Sequence, residues 1–163
     1  MARSDSFFIR ATVPIAAAYN QVSIDLGSFV DALGKTVMRI HNCAVTYGSL
    51  GSVPITPTAG SATAAFQLTT QSQTALVGPA NRSTISSGSL LLSGDPNQLS
   101  VLSESLDIAP QEWTGGYLVA VESLFLGCDV TLANVVDEIT IVLECTVETM
   151  TASASMALAL SQQ

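Results

Sequence analysis

The chain is short of charge. Charged residues fill 11% of its 163 positions, against about 25% in an ordinary soluble domain. A lone monomer relies on mixed surface charge to stay dissolved. A surface this poor in ions suits a subunit whose flanks are covered by copies of itself. Positive charge is scarcer still: Arg3, Arg10, Lys35, Arg39 and Arg82 are the only bases, and from residue 83 onward there are ten acids and no base. The net charge is −8. With no basic cluster to neutralise phosphates, direct nucleic-acid binding is not expected, and the balance is poorly matched to an anionic membrane surface.

Other shortages exclude further classes. There is one histidine, His41, and aromatics make up 6%. Apolar segments fall short of the roughly 18 residues of a membrane span; the best, 117–128, is broken by Glu122. Residues 1–20 look faintly like a signal peptide, but Asp5, Arg10 and Pro14 interrupt any apolar core. Eleven glycines and six prolines are too few for a collagen or low-complexity chain, and 48% apolar residues is too many for disorder. Cys43, Cys128 and Cys145 give an odd count, all in apolar runs. Three buried thiols are expected, with one bridge plus a free thiol as the alternative.

What is present reads as strands. Residues 7–13 alternate Phe7, Ile9, Ala11 and Val13 with Phe8, Arg10 and Thr12, and Pro14 ends the run or places it at an edge. Residues 22–26 alternate likewise. Residues 28–34 suggest one helical turn between Ser28 and Gly34. Residues 36–47 are apolar on both faces, as in a central strand. Residues 48–62 carry loop signals. Strands are expected at 66–70, 83–85, 89–92 and 117–126, with a turn at 94–97 and either strand or short helix at 98–106. The clearest half-buried strand is 139–148. The expected fold is an all-β, single-domain antiparallel β-sandwich of about eight strands over residues 1–150, with one or two short helical turns. A small-residue tail or arm follows at 151–163.

The search for chemistry returns mostly structural readings. A Ser-His-Asp or Cys-His site must use His41, because an imidazole takes the nucleophile's proton. His41 sits mid-strand, two residues from Cys43 and on the same face, which favours a packed histidine or a subunit contact. His41 with the three cysteines offers zinc-ligand types without the tight Cys-x-x-Cys pairs of structural sites. Gly34-Lys35-Thr36 matches the end of a phosphate loop, but the earlier glycine is Phe29. Gly115-Gly116 is better read as a turn. Asp137-Glu138, and Glu144 with Glu148 on one strand face, are acid pairs that nothing in the spacing sets across a cleft. Asp129 and Asp137 lack a calcium-loop signature. Asn81-Arg82-Ser83 is a glycosylation sequon. Neither catalytic residues, metal ligands nor a cofactor site are therefore assigned. The candidate interface residues are Trp113 and Tyr117, where Trp113 either anchors an interface or covers a core edge, and Met156, Leu158 and Leu160 in the tail.

The layout of 6–13, 21–30, 36–47, 116–126 and 137–150, with a long loop after the third strand and small-residue ends, resembles the single jelly-roll capsid proteins of tailless icosahedral viruses. The resemblance implies an eight-stranded jelly roll, assembly into a shell within a virion, and terminal arms that reach neighbours. It implies no catalytic residues. Because residues 1–10 hold only Arg3 and Arg10 against Asp5, the shell is expected to face something other than naked nucleic acid, such as an internal membrane touched without a spanning segment. The expected partners are copies of the chain and a second capsid protein. The alternatives are a subunit of a cell-surface layer, pilus or adhesin, and a ligand- or carbohydrate-binding β-sandwich module.

Overall fold

A computed structural model describes residues 3–31, 35–49, 57, 60–95, 98–106, 112–131 and 136–163, with the backbone alone at 95, 98–106 and 112. Among the described residues there are nine strands and one helix: β1 (Phe7–Pro14), β2 (Asn20–Asp25), β3 (Thr36–Tyr47), β4 (Gly60–Thr69), β5 (Thr84–Asp95), β6 (Gln98–Leu106), β7 (Glu112–Val119), β8 (Ser123–Val130), β9 (Glu138–Thr149) and α1 (Ala152–Ser161). They form a four-stranded sheet in the order β1-β9-β3-β7 and a five-stranded sheet in the order β2-β8-β4-β5-β6. All pairings are antiparallel.

The pairings β1·β9, β2·β8, β3·β7 and β4·β5 are nested. The chain runs as one long hairpin folded between β4 and β5 and then rolled, so that successive arms land on opposite sheets. That is the jelly-roll arrangement, and the expected all-β sandwich is the fold observed. The ninth strand, β6, extends the five-stranded sheet as a hairpin closed between Asp95 and Gln98.

Alternation builds the core. In β9, Ile139, Ile141, Leu143 and Cys145 are fully buried, while Thr140, Val142 and Glu144 between them are half-exposed. Met38, Ile40 and Cys43 of β3 lie beside them. From the other sheet come Ala64, Phe66 and Leu68 of β4, Leu90 and Leu92 of β5, and Leu124 and Leu126 of β8. Phe66 meets the Tyr47 ring edge-on at 6.2 Å, an arrangement aromatic rings favour.

Four expectations are corrected. Residues 117–126 are not one strand: β7 lies at the edge of one sheet and β8 inside the other, and the chain crosses between them at 120–122. Inward residues from both sides of that crossing gave the appearance of a strand apolar on both faces. The two strands expected at 83–85 and 89–92 are, from Thr84 onward, a single strand, β5, whose stretch of Ser86, Ser87 and Gly88 is buried despite its polar look. His41 and Cys43 do not share a face. Ile40 pairs with Cys145 and Asn42 with Glu144, so His41 is the extra residue of a β-bulge that resets the alternation. The segment 151–163 is not a loose arm but the helix α1, folded back on the sandwich. Thr151 caps it, its hydroxyl accepting from Ala154 N–H at 3.3 Å, and its Ala, Leu and Met residues are strong helix formers.

The expected helical turn is a short turn closed by Phe29 and Val30 N–H donating to the Leu26 carbonyl, at 2.8 and 2.9 Å. Its residues Ala32 to Gly34 lie outside the described residues, as do most of the expected 48–62 loop and Pro96-Asn97. Residues 98–106 resolve as strand, β6.

Removing a fully buried ring leaves a cavity the sheets cannot close. Phe66→Ala is expected to lower stability by about 3–5 kcal/mol, read as a lowered urea midpoint at unchanged slope.

Candidate functional site

The sandwich shows two unlike outer faces. On the four-stranded sheet, β1 presents Phe8, 54% exposed, with Arg10 over its ring at 5.8 Å. Beside them lies the one dense polar cluster. Glu148 of β9 is 7% exposed, and its two carboxylate oxygens accept from Arg39 Nε and Nη2, both at 2.8 Å. Such a bidentate pair fixes geometry as well as charge. Arg3 approaches the same carboxylate at 3.6 Å and donates from Nε to Thr146 Oγ1 at 3.3 Å. His41, thrown outward by its bulge, places Nε2 at 2.5 Å from Arg3 Nη2 and 3.0 Å from Thr146 Oγ1. A guanidinium offers only N–H, so Nε2 serves Arg3 as the acceptor. Arg39 also donates to the Gly115 carbonyl. Gly116, at φ +70°, keeps that path open, since a Cβ there would collide with the Arg39 stem. The cluster ties the N-terminal segment, β9, β3 and β7 together.

Arg39 holds the Glu148 carboxyl below the usual carboxylate range, with burial opposing, and Glu148 in turn raises Arg39. The hydroxyl of the cluster, Thr146 Oγ1, is tied up, accepting from Arg3 Nε and lying 3.0 Å from His41 Nε2, in a side chain that is 3% exposed. The thiol two residues from His41, Cys43, faces the core, where burial pushes it up to about 11. Burial likewise pushes Cys128 to about 11 and Cys145 to about 12. All three cysteines are free and buried, and thiols held protonated are poor nucleophiles and ligands. Cys128 lies in the opposite sheet from the other two. Among the described residues no three His, Cys, Asp or Glu side chains stand close enough to hold a metal ion.

The remaining motifs have structural work. Asp137 accepts from Ser49 Oγ at 2.7 Å and from the N–H groups of Ser49 and Glu138, both at 3.0 Å, and the Ser49 hydroxyl leads in pulling its carboxyl below the usual range. It anchors a loop. Asn81 Oδ1 accepts from Ser83 N–H at 2.9 Å and Ser83 Oγ at 2.8 Å. Ser83 is fully buried, so this sequon is knotted into a turn. Lys35 is exposed at φ +80°, with Gly34 outside the described residues.

On the outer face of the five-stranded sheet, the described side chains of β4 and β5 carry no charge, while β2 presents Asp25. Ser61, Thr63 and Ala65 of β4 and Ser89, Leu91 and Ser93 of β5 point outward, and Leu91 is 45% exposed. A concavity of about 110 Å³ is lined by Thr63, Ala65, Leu76, Val130, Thr131 and Asp129. Farther along β4 the face is roofed by residues 70–83. Gln67 is buried beneath this roof, donating to the Ala75 carbonyl at 3.0 Å and accepting from Val77 N–H at 2.6 Å. It also donates to Tyr19 Oη at 2.9 Å, whose ring crosses Gly127 where a side chain would block it.

The five candidate interface residues separate. Trp113 and Tyr117 lie on β7 with ring centroids 6.1 Å apart, half-buried and packed on the core. Burial raises the Tyr117 hydroxyl, and a hydrogen bond to Gln162 opposes it. Leu158 packs inward against Val37, Ala120 and Ala159. Only Met156 and Leu160 lie open on α1, Leu160 at 65% exposure.

Sequence reasoning missed Gln162. Its side chain is 5% exposed, accepts from Ala120 N–H at 2.9 Å and donates to the Leu118 carbonyl at 2.6 Å. Its own carbonyl accepts from Thr70 Oγ1 at 2.7 Å. A penultimate glutamine after a small-residue run carries no signal of such a role.

No helix among the described residues is long and apolar enough to cross a membrane. No protein-family model matches the chain, and no curated protein matches it in sequence.

Glu148→Gln replaces a buried charge-assisted pair with a weaker one and is expected to cost about 2 kcal/mol at pH 7. Because the folded carboxyl is held low, its contribution is complete above the unfolded carboxylate range and fades as the pH falls through the folded value. The difference between parent and variant in urea unfolding should therefore shrink between pH 7 and pH 3.

Proposed function

We propose that the chain is a structural subunit that assembles with copies of itself into a viral capsid shell through its low-charge faces, laid over something other than naked nucleic acid, an internal membrane being the layer that fits. The observation that carries this reading is the uncharged outer surface of β4 and β5 between Ser61 and Ala65 and between Ser89 and Ser93, with Leu91 open on it and Leu76 beside it, in a chain of net charge −8. Such a chain repels its copies everywhere except where charge is lacking, so an ionless face is where a second copy is tolerated. The jelly roll recurs in viral capsid, lectin and cupin domains. A sugar-binding module needs an open aromatic platform, and the Trp113–Tyr117 pair is instead packed on the core. Three thiols pushed to about 11 or 12, and a histidine bound to Arg3 and Thr146, favour a non-catalytic role.

Concentrated purified protein is expected to form closed shells or capsomers by light scattering and negative-stain imaging. Filaments or open lattices would favour a surface layer or pilus, and a monomer at every concentration overturns the reading. Leu91→Lys should give a folded chain that no longer assembles. Since this surface of β4 and β5 lacks ions, assembly should persist in 1 M salt, where charges act over only about 3 Å.

A further inference from the structure

β7 is the outermost strand of its sheet. Its residues Leu118 and Val119 pair with Arg39 and Met38 of β3. Backbone groups alternate sides along a strand, so the Leu118 carbonyl and the Ala120 N–H both turn to the open edge. An edge of this kind is a template for another chain.

Here the edge is filled by a side chain. The Gln162 amide donates to the carbonyl of residue 118 and accepts from the N–H of residue 120. In a parallel ladder, one residue of the incoming strand bonds the carbonyl before and the N–H after the residue it faces. The Gln162 amide thus reproduces one residue of a parallel strand set against Val119. The Gln162 carbonyl also accepts from Thr70 Oγ1 and the Gln163 carbonyl from Arg82 Nη2, both at 2.7 Å, but the apolar attachment of the helix before them is slight. The docking face of α1 buries only Ser155 and Ala159, with Leu158 half-buried beside them, and small contacts mark the segments that open first.

We propose that the β7 edge around Val119 is a docking site for an extended segment of a second copy of this chain, and that Gln162, with α1 behind it, closes this edge in the isolated subunit. The occupant is a second copy because of charge. No ionised side chain lies in 113–121 or in 149–163; Glu112 and Glu122 stand only at the two ends of the edge, so an incoming copy carrying −8 meets no like charge at Val119 itself. Main-chain hydrogen bonds then supply the contact, as in other strand-addition complexes. The inference rests on the self-assembly reading above and names one of its contacts.

Gln162→Ala tests it in the full chain. In dilute solution, hydrogen exchange at the Ala120 amide should rise about tenfold or more, as expected for two hydrogen bonds of ordinary strength. The concentration for self-association should fall by a similar factor, and cross-links between copies should fall in 112–120. Gln162→Glu, which keeps the acceptor for Ala120 but loses the donor to Leu118, should lie between parent and alanine variant. Unchanged exchange at Ala120 overturns the proposal. So does faster exchange with association at the parent's concentration, or with copies joined only elsewhere. A parent that never assembles sinks the shell reading alone, since association of the alanine variant through β7 would still stand.

Discussion

Two sheets bury their apolar faces against each other, and this one contact governs what the rest of the chain is free to be. Each inward position is committed to the core: Ile139, Ile141 and Leu143 face Phe66, Leu124 and Leu126 with almost no exposure. Burying one such side chain contributes about 1.5–3 kcal/mol, so the core tolerates little variation. The outward positions carry no such obligation. They differ between the sheets, with arginine, carboxylate and imidazole on one and hydroxyls, alanine and leucine on the other. The sandwich thus carries two outer faces of different chemistry on one core.

The few ions present are concentrated. In a chain with five bases, two of them, Arg3 and Arg39, converge on Glu148. A buried carboxylate is costly unless well paired, and its bidentate bond to Arg39 supplies the pairing. The arrangement gathers elements that the core does not hold. Arg3 and Ser4 precede β1, and Ser4 N–H donates to the Val147 carbonyl at 2.9 Å while its hydroxyl accepts from Val147 N–H. Through Arg39, the same carboxylate is linked to the Gly115 carbonyl on the irregular part of β7.

Legibility in the sequence followed burial. β1 and β9 were readable because each has one inward face whose apolar residues recur every second position, and β3 by its long run of apolar and β-branched residues on both faces, whose bounds fell where expected. β5 was split because serine and glycine at its centre, covered by neighbouring elements, carry no apolar signal. β7 and β8 were fused because the crossing at 120–122 is itself apolar. α1 was read as a tail because Ala, Ser and Met without charge give no amphipathic stripe, although Thr151 was available as its cap. The bulge at His41 had no local marker at all: it follows from the register between β3 and β9, which only pairing reveals. Of the candidate interface residues, Met156 and Leu160 were found on the surface because α1 docks through the side that carries Ser155 and Ala159 and leaves the opposite side uncovered. Trp113 and Tyr117 turned inward because aromatic bulk at a sheet edge covers the core end.

The treatment of edges bears on how such a subunit avoids open-ended association. β1, one outer strand of the four-stranded sheet, ends in Pro14, which has no N–H to offer a stranger. The opposite outer strand, β7, has no proline near Val119, and its exposed backbone pair is bound by a glutamine on a separate element. The proline removes one N–H at the end of β1 by its covalent structure, whereas the pair on β7 is satisfied only while Gln162 stays docked.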